Sequence, residues 1–273
     1  MTIGQSHWDA YAARFRLVGR PLRPGPEDTE HARDAIRRHL PVELAQRGAL
    51  LLGVTAELAE VAWEPPVQLL AVDKSEGMIG GIWPGDAPHR RAQLGDWLTL
   101  QPPSGGFGLA LGDGVMTLFE YPSGYAALGA ALGRLLAPGG LLWLRAFCRL
   151  QATESVDEVM RALWGGSIGN FHVFKWRLAM ALQGDATRGV RLADIWSELV
   201  ARTSVAELAR RTGFPEAEVA TIDGYRDVQD RYSFSTAEEI VRALAPHFEL
   251  IERWQPSYEL GERCPHLLFC RRS

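Results

Sequence analysis

The chain has 273 residues, 47% of them hydrophobic, and a formal net charge of −4, enough for one large domain with an ample apolar core. That charge and a pI near 6.0 provide no broad basic field to draw in nucleic acid or anionic lipid. No apolar run approaches the roughly 20 residues of a membrane span.

Residues Met1 to Arg23 mix charges with aromatics, so they do not read as a signal peptide. Cys148, Cys264 and Cys270 are odd in number and form no C-x-x-C pair. This argues for a cytoplasmic, reducing setting and against a disulfide scaffold or a zinc site. Only Lys74 and Lys175 are lysines among 29 basic residues, the arginine bias a GC-rich bacterial genome produces. Neither follows a glycine, which removes a phosphate loop. Leu70 and Phe171 stand where a short-chain dehydrogenase needs tyrosine, four residues before its lysine.

Residues 1–48 read as a helical arm or cap. Strands are then predicted at 49–53, 67–73, 90–94 and 107–112, with helices at 55–62, 75–81 and 123–137 and a fifth strand at 140–147. The first strands are apolar at consecutive positions, as when both faces of a parallel sheet are covered. Residues 151–230 read as a helical insertion without strands, its clearest helices at 156–164, 171–182, 192–202 and 205–212. Thr236 and Glu239 make a capping box for a helix that precedes strands at 247–254 and 266–271. The expected fold is therefore α/β, a seven-stranded and mostly parallel sheet with helices on both faces. The core spans 49–150 and 231–273, with the insertion following strand five as a lid or substrate region.

Ligands of open α/β sheets bind beyond the carboxyl ends of the strands, where several polar residues fall. Gly53-Val54-Thr55-Ala56-Glu57-Leu58 follows the first strand, with Thr55 a helix N-cap by type. Asp73-Lys74 ends the second, about 20 residues on, and Met78 lies one turn into the next helix. Leu94-Gly95-Asp96-Trp97 follows the third, and Gly112-Asp113-Gly114 ends the fourth. Ordinary roles compete at each: an N-cap for Asp73, an Asx-turn for Asp96, a plain turn for Asp113 and core packing for Met78.

The order and spacing of these segments, closed by Pro138-Gly139-Gly140-Leu141-Leu142-Trp143-Leu144, resemble class I S-adenosylmethionine-dependent methyltransferases. The resemblance covers 49–147 and 235–272 and, loosely, the arm. It implies a Rossmann-like fold with S-adenosyl-L-methionine as cofactor and S-adenosyl-L-homocysteine as product. Asp73 would take the ribose hydroxyls and Asp96 the adenine amino group, with the backbone N–H of Trp97 facing a ring nitrogen and Met78 beside the base. Gly53, Val54, Thr55, Lys74 and Gly112 would complete the binding loops, and Asp113 would meet the methionine amino group or the substrate. The family's Gly-x-Gly-x-Gly loop is reduced here to Gly53, with Leu51 at the position of its acid; Glu57 could replace that acid. The arm segment His7-Trp8-Asp9-Ala10-Tyr11-Ala12-Ala13-Arg14-Phe15 resembles an aromatic helix that closes over the cofactor. It offers Tyr11 and its neighbours to a sulfonium, and Arg23 to the methionine carboxylate.

The reaction implied is methyl transfer to an O, N or C nucleophile of a small molecule. Asp113, Arg145 and His172 are the catalytic candidates, with Asn170 beside the last. The insertion aromatics Trp164, Phe171, Phe174, Trp176 and Trp196 could line a substrate chamber. The alternative is a non-catalytic binding protein on the same fold, a pseudo-enzyme or partner subunit. A DNA-binding regulator is disfavoured. Residues 204–219 look like a helix-turn-helix, yet Glu216, Glu218 and Asp223 would face phosphates. A homo-oligomer is compatible with the sequence.

Overall fold

The computed structural model describes Trp8 and residues 12–273. The chain forms α1 (Pro26–His39), β1 (Ala49–Leu52), α2 (Ala56–Ala59), β2 (Leu69–Asp73), α3 (Glu76–Ile82), β3 (Arg90–Leu94), β4 (Phe107–Asp113), α4 (Ser123–Leu135) and β5 (Leu136–Arg145). An insertion follows, with α5 (Val156–Trp164), α6 (Phe171–Gln183), β6 (Val190–Arg191), α7 (Leu192–Arg202), α8 (Val205–Thr212) and β7 (Arg231–Tyr232). The chain then returns to the sheet through α9 (Ala237–Leu244), β8 (Phe248–Trp254) and β9 (His266–Arg271).

The main sheet runs β3-β2-β1-β4-β5-β9-β8. Its first five strands pair in parallel, and β9 is antiparallel to both β5 and β8. The order reverses between β1 and β4, where connections leave to opposite sides and open a crevice at the carboxyl ends. Because side chains alternate across a strand, β1 serves two cores at once. Leu50 and Leu52 pack with Leu128, Leu132 and Ile240 on the α4–α9 face. Ala49 and Leu51 pack with Ala32, Ile36 and Leu58 on the other. Burial on both faces is why this strand has no polar residue.

The insertion helices α5, α6 and α7 and the segments after them share one core with Val18 and Leu22 of the arm, Phe147 after β5, and Leu260 and Cys264 between β8 and β9. The expectation that residues 151–230 hold no strand is corrected, since Val190 and Arg191 of β6 pair with Tyr232 and Arg231 of β7. Two residues are too few to show a period of two. The helix expected over 55–62 shrinks to the single turn of α2, and Thr55 makes no side-chain cap bond. After α8 comes only one turn at Glu216–Val219 and a 3₁₀ stretch at Ala220–Tyr225. No recognition helix is formed. No helix among the described residues is long and apolar enough to cross a membrane.

The capping box closes as predicted. Thr236 Oγ1 accepts from the Glu239 backbone N–H at 3.2 Å, and Glu239 Oε2 accepts from that of Thr236 at 2.7 Å. Thr236→Ala should therefore cost about 1 kcal/mol in urea unfolding. An unchanged midpoint would show that the cap does not carry α9.

Candidate active site

The crevice at the strand switch holds a cavity of about 360 Å³. Its floor is the row of strand ends the sequence singled out. Gly53 follows β1 at φ +91°, a left-handed backbone conformation that glycine accepts without strain. A Cβ built there would stand 3.6 Å from Asp73 Oδ2, so the loop passes directly across the end of β2. Asp73 lies within the cavity lining, and its Oδ1 accepts from the Ser75 backbone N–H at 2.8 Å. Burial pushes the Asp73 carboxyl up, opposed by the N–H groups of Ser75 and Lys74. The cap of α3 falls to Ser75, which accepts from Met78 N at 3.0 Å, so Asp73 is not consumed by that role.

Asp96 and Lys74 also line the cavity and pair at 2.8 Å. Asp96 Oδ1 accepts from Leu98 N at 2.9 Å, so the Asx-turn and the pocket-facing position coexist. Trp97 donates its indole N–H to Val72 O at 2.6 Å, fixing its ring at the rim. Val54, Thr55 and Met78 line the same space. Gly112 does not. It is buried inside β4, where a Cβ would come within 2.9 Å of Leu144 and Val115.

Asp113 reaches the cavity but is already engaged. Arg145 donates to both its oxygens, Nε to Oδ1 at 2.6 Å and Nη2 to Oδ2 at 3.1 Å. Arg145 Nη1 donates to Pro21 O at 2.7 Å and to the Tyr258 hydroxyl at 3.1 Å. Tyr258 donates to Asp28 Oδ1 at 2.9 Å, and Asp28 Oδ2 accepts from Gly25 N at 2.7 Å. Burial pushes the Asp113 carboxyl up against the pull of Arg145. Burial also opposes the charge on Arg145, yet Asp113 and Tyr258 hold it well above its ordinary value. The catalytic candidate Arg145 is corrected, because it lies outside the cavity lining with its donors spent on Asp113, Pro21 and Tyr258.

The other catalytic candidate, His172, also lies outside the lining. Its Nε2 donates to Leu17 O at 3.0 Å, and Asn170 caps α6 by accepting from Val173 N. Burial first, then neighbouring Lys175, brings the His172 pKa down to about 4, so this ring is neutral at pH 7. Glu57 is set back from the cavity as well. Arg23, a lining residue, donates Nε to its Oε1 at 2.6 Å, while Glu57 Oε2 is buried without a hydrogen-bond partner among the described residues.

Above the floor, Trp8 and Phe15 of the arm line the cavity, and Arg23 stacks on Phe15 at 4.4 Å. Tyr11 lies outside the described residues. Of the five insertion aromatics, only Trp176 reaches the cavity; Phe147, Tyr225 and Tyr232 join it. Sequence reasoning missed the two tyrosines because they sit in the 3₁₀ stretch and the two-residue β7, where no periodicity marks them. Among the described residues, no group of three or more His, Cys, Asp or Glu side chains could hold a metal.

No protein-family model and no curated protein sequence matches the chain. Solved structures match it along nearly its whole length. The CcbJ methyltransferase from Streptomyces caelestis is 12% identical with a TM-score of 0.56, over 98% of this chain and 99% of that one. Magnesium protoporphyrin IX methyltransferase from Synechocystis PCC 6803, solved with bound S-adenosylhomocysteine, is 11% identical with a TM-score of 0.52, over 98% and 97%. A Rhodobacter sphaeroides structure that carries the name of a zinc-dependent alcohol dehydrogenase is 15% identical with a TM-score of 0.57, over 97% and 98%. The fold is the Rossmann-like fold of class I methyltransferases, with its seven-stranded sheet.

Two outcomes follow. Asp113→Ala should cost about 3–5 kcal/mol by stranding a buried guanidinium, and Asp113→Leu combined with Arg145→Met should recover most of it; equal losses in the two variants would show that the pair does not act as a unit. His172 takes up its proton near 6.5 when unfolded but near 4 when folded. Its contribution is thus fully present above about 6.5 and lost as pH falls toward 4. His172→Phe should flatten the acid-side decline of the urea midpoint in that window, and an identical slope would contradict the assignment.

Proposed function

We propose that the protein is an S-adenosyl-L-methionine-dependent methyltransferase acting on a small-molecule nucleophile, releasing S-adenosyl-L-homocysteine. The observation that carries this reading is the juxtaposition of Gly53, Asp73 and Asp96 in one cavity at the strand switch. A left-handed glycine turn beside a half-buried carboxylate suits a nucleoside, whose ribose hydroxyls donate to Asp73. Asp96 accepts from the adenine amino group in this reading, and Met78 offers an apolar face beside the base.

The amino-acid end finds partners despite the reduced glycine loop. Glu57 is set back from the cavity and holds Arg23 through Oε1, so it orients that guanidinium rather than meeting an ammonium. Arg23 beside it offers a guanidinium to a carboxylate. Asp113, with both oxygens on Arg145, shapes the wall rather than serving as a free ligand. Trp8 and Phe15 cover this end, and aromatic faces suit a sulfonium.

The cofactor, when bound, supplies an activated methyl group. The chain's own contribution is alignment and exclusion of water. Holding a nucleophile in line is worth about 7–11 kcal/mol when the geometry is right. No histidine lines the cavity among the described residues, so no general base is assigned; an acceptor already unprotonated needs none.

Equilibrium dialysis with S-adenosylhomocysteine tests the ribose assignment. Asp73→Ala should weaken binding about a hundredfold or more, equivalent to roughly 2.8 kcal/mol, with its thermal midpoint kept. Unchanged affinity would remove the assignment. Tight cofactor binding with no turnover across a broad acceptor panel would favour the non-catalytic binding protein instead.

A further inference from the structure

Helix α6 brings two unmatched donors to the aromatic end of the cavity. Lys175 is 1% exposed and, among the described residues, forms no ion pair and no hydrogen bond. Its ammonium lies 5.2 Å from the centroid of Tyr225 and 5.8 Å from that of Trp176. Both of those rings line the cavity. The adjacent Trp176 is 5% exposed, and its indole N–H is buried with no acceptor. The polar group one turn earlier does not compensate, since neutral His172 donates its one N–H to Leu17 O and carries no negative charge.

A buried cation without a counter-charge is expensive, and such groups are ordinarily paired. Here the surrounding rings offer only their π faces, a weak substitute. Electrostatic attraction is strong across a short, dry path, so a charge behind the Tyr225 and Trp176 rings acts on whatever sits in front of them. The wall itself is aromatic, its rings set edge to face so that it presents both ring faces and ring edges to the cavity. Phe147 meets Trp176 edge to face at 5.5 Å, and Trp176 meets Tyr232 at 5.4 Å.

We infer that the methyl acceptor is a planar aromatic molecule bearing an ionised acidic oxygen, a carboxylate or phenolate. Lys175 supplies the counter-charge from behind the wall, and Trp176 N–H makes the hydrogen bond. This inference rests on the methyltransferase reading, because it assigns the acceptor end of the same cavity. Lys175 is a specificity-determining residue in it, not a catalytic one. Burial, which brings the Lys175 pKa down to about 7, agrees with an ammonium that has no anion beside it in the free protein.

The test uses 2-naphthoate and its neutral counterpart 2-naphthamide as probes, titrated by calorimetry into the full chain at mildly acidic pH. It is run with and without saturating S-adenosylhomocysteine. Naphthoate should bind at least about tenfold more tightly than the amide. Lys175→Met should erase that preference, leave S-adenosylhomocysteine affinity unchanged and raise the thermal midpoint of the free protein by removing an unpaired charge. Lys175→Arg should retain the preference.

Equal binding of the two probes, no binding of either, or a preference that survives in Lys175→Met would each overturn the inference. So would a lowered midpoint in Lys175→Met, which would mark the lysine as structural. Absence of S-adenosylhomocysteine binding would instead count against the cofactor reading. The nucleoside-free titration reads the anion subsite separately.

Discussion

The buried pair between Asp113 and Arg145 is the constraint on which the site's shape depends. The two residues are in register at the last positions of β4 and β5, where the crevice opens. Arg145 is 0% exposed, and a guanidinium removed from water must satisfy its donors inside the protein. It does so with one carboxylate from the sheet, one carbonyl from the N-terminal segment and one phenol from the β8–β9 connection. Satisfying that single cation draws three distant stretches of chain together. Leu22, Arg23 and Pro24 follow Pro21 directly and reach the cavity because Pro21 is held. A buried ion pair is weak evidence for stability; here it sets geometry.

The same logic separates the two ends of the cavity. At the strand ends, polar side chains are fixed by short-range bonds to their own loops: Asp73 by Ser75, Asp96 by Leu98, Trp97 by Val72. These are positions whose orientation the sheet dictates, suited to a ligand of constant shape. The opposite end is lined by rings, Trp176 and Tyr225 of the insertion with Phe147 and Tyr232 from either side of it. A floor set by the sheet and a wall drawn largely from an insertion let one fold host different sites.

Much of this was legible in the chain. Four of the five leading strands and α5 to α8 follow from apolar runs and caps, the exception being the polar edge strand β3 (Arg90–Leu94), and Thr236–Glu239 closes as its spacing implies. Gly53, Asp73, Asp96 and Asp113 meet in one cavity because each lies at or just past the end of a strand, a property visible for Gly53, Asp73 and Asp113 as an apolar run that stops on a small or acidic residue. What was not legible depends on tertiary partners. Arg145 lies at the carboxyl end of a strand, as a pocket residue would; only the fold reveals the carbonyl and phenol that claim its donors. Glu57 and Arg23 are 34 positions apart and pair through space. Tyr225 and Tyr232 lie in segments too short for periodicity to register, and nothing in the sequence around Lys175 marks it as buried without an anion among the described residues.

The claim that the cleft at the β1–β4 switch is a nucleoside site is tested most directly by a crystal structure of the protein grown with S-adenosylhomocysteine. The account predicts density for a ribose within hydrogen-bond reach of Asp73, with the base beside Asp96 and Met78. A nucleoside lodged elsewhere, or a cleft without ligand density under saturating conditions, would contradict it.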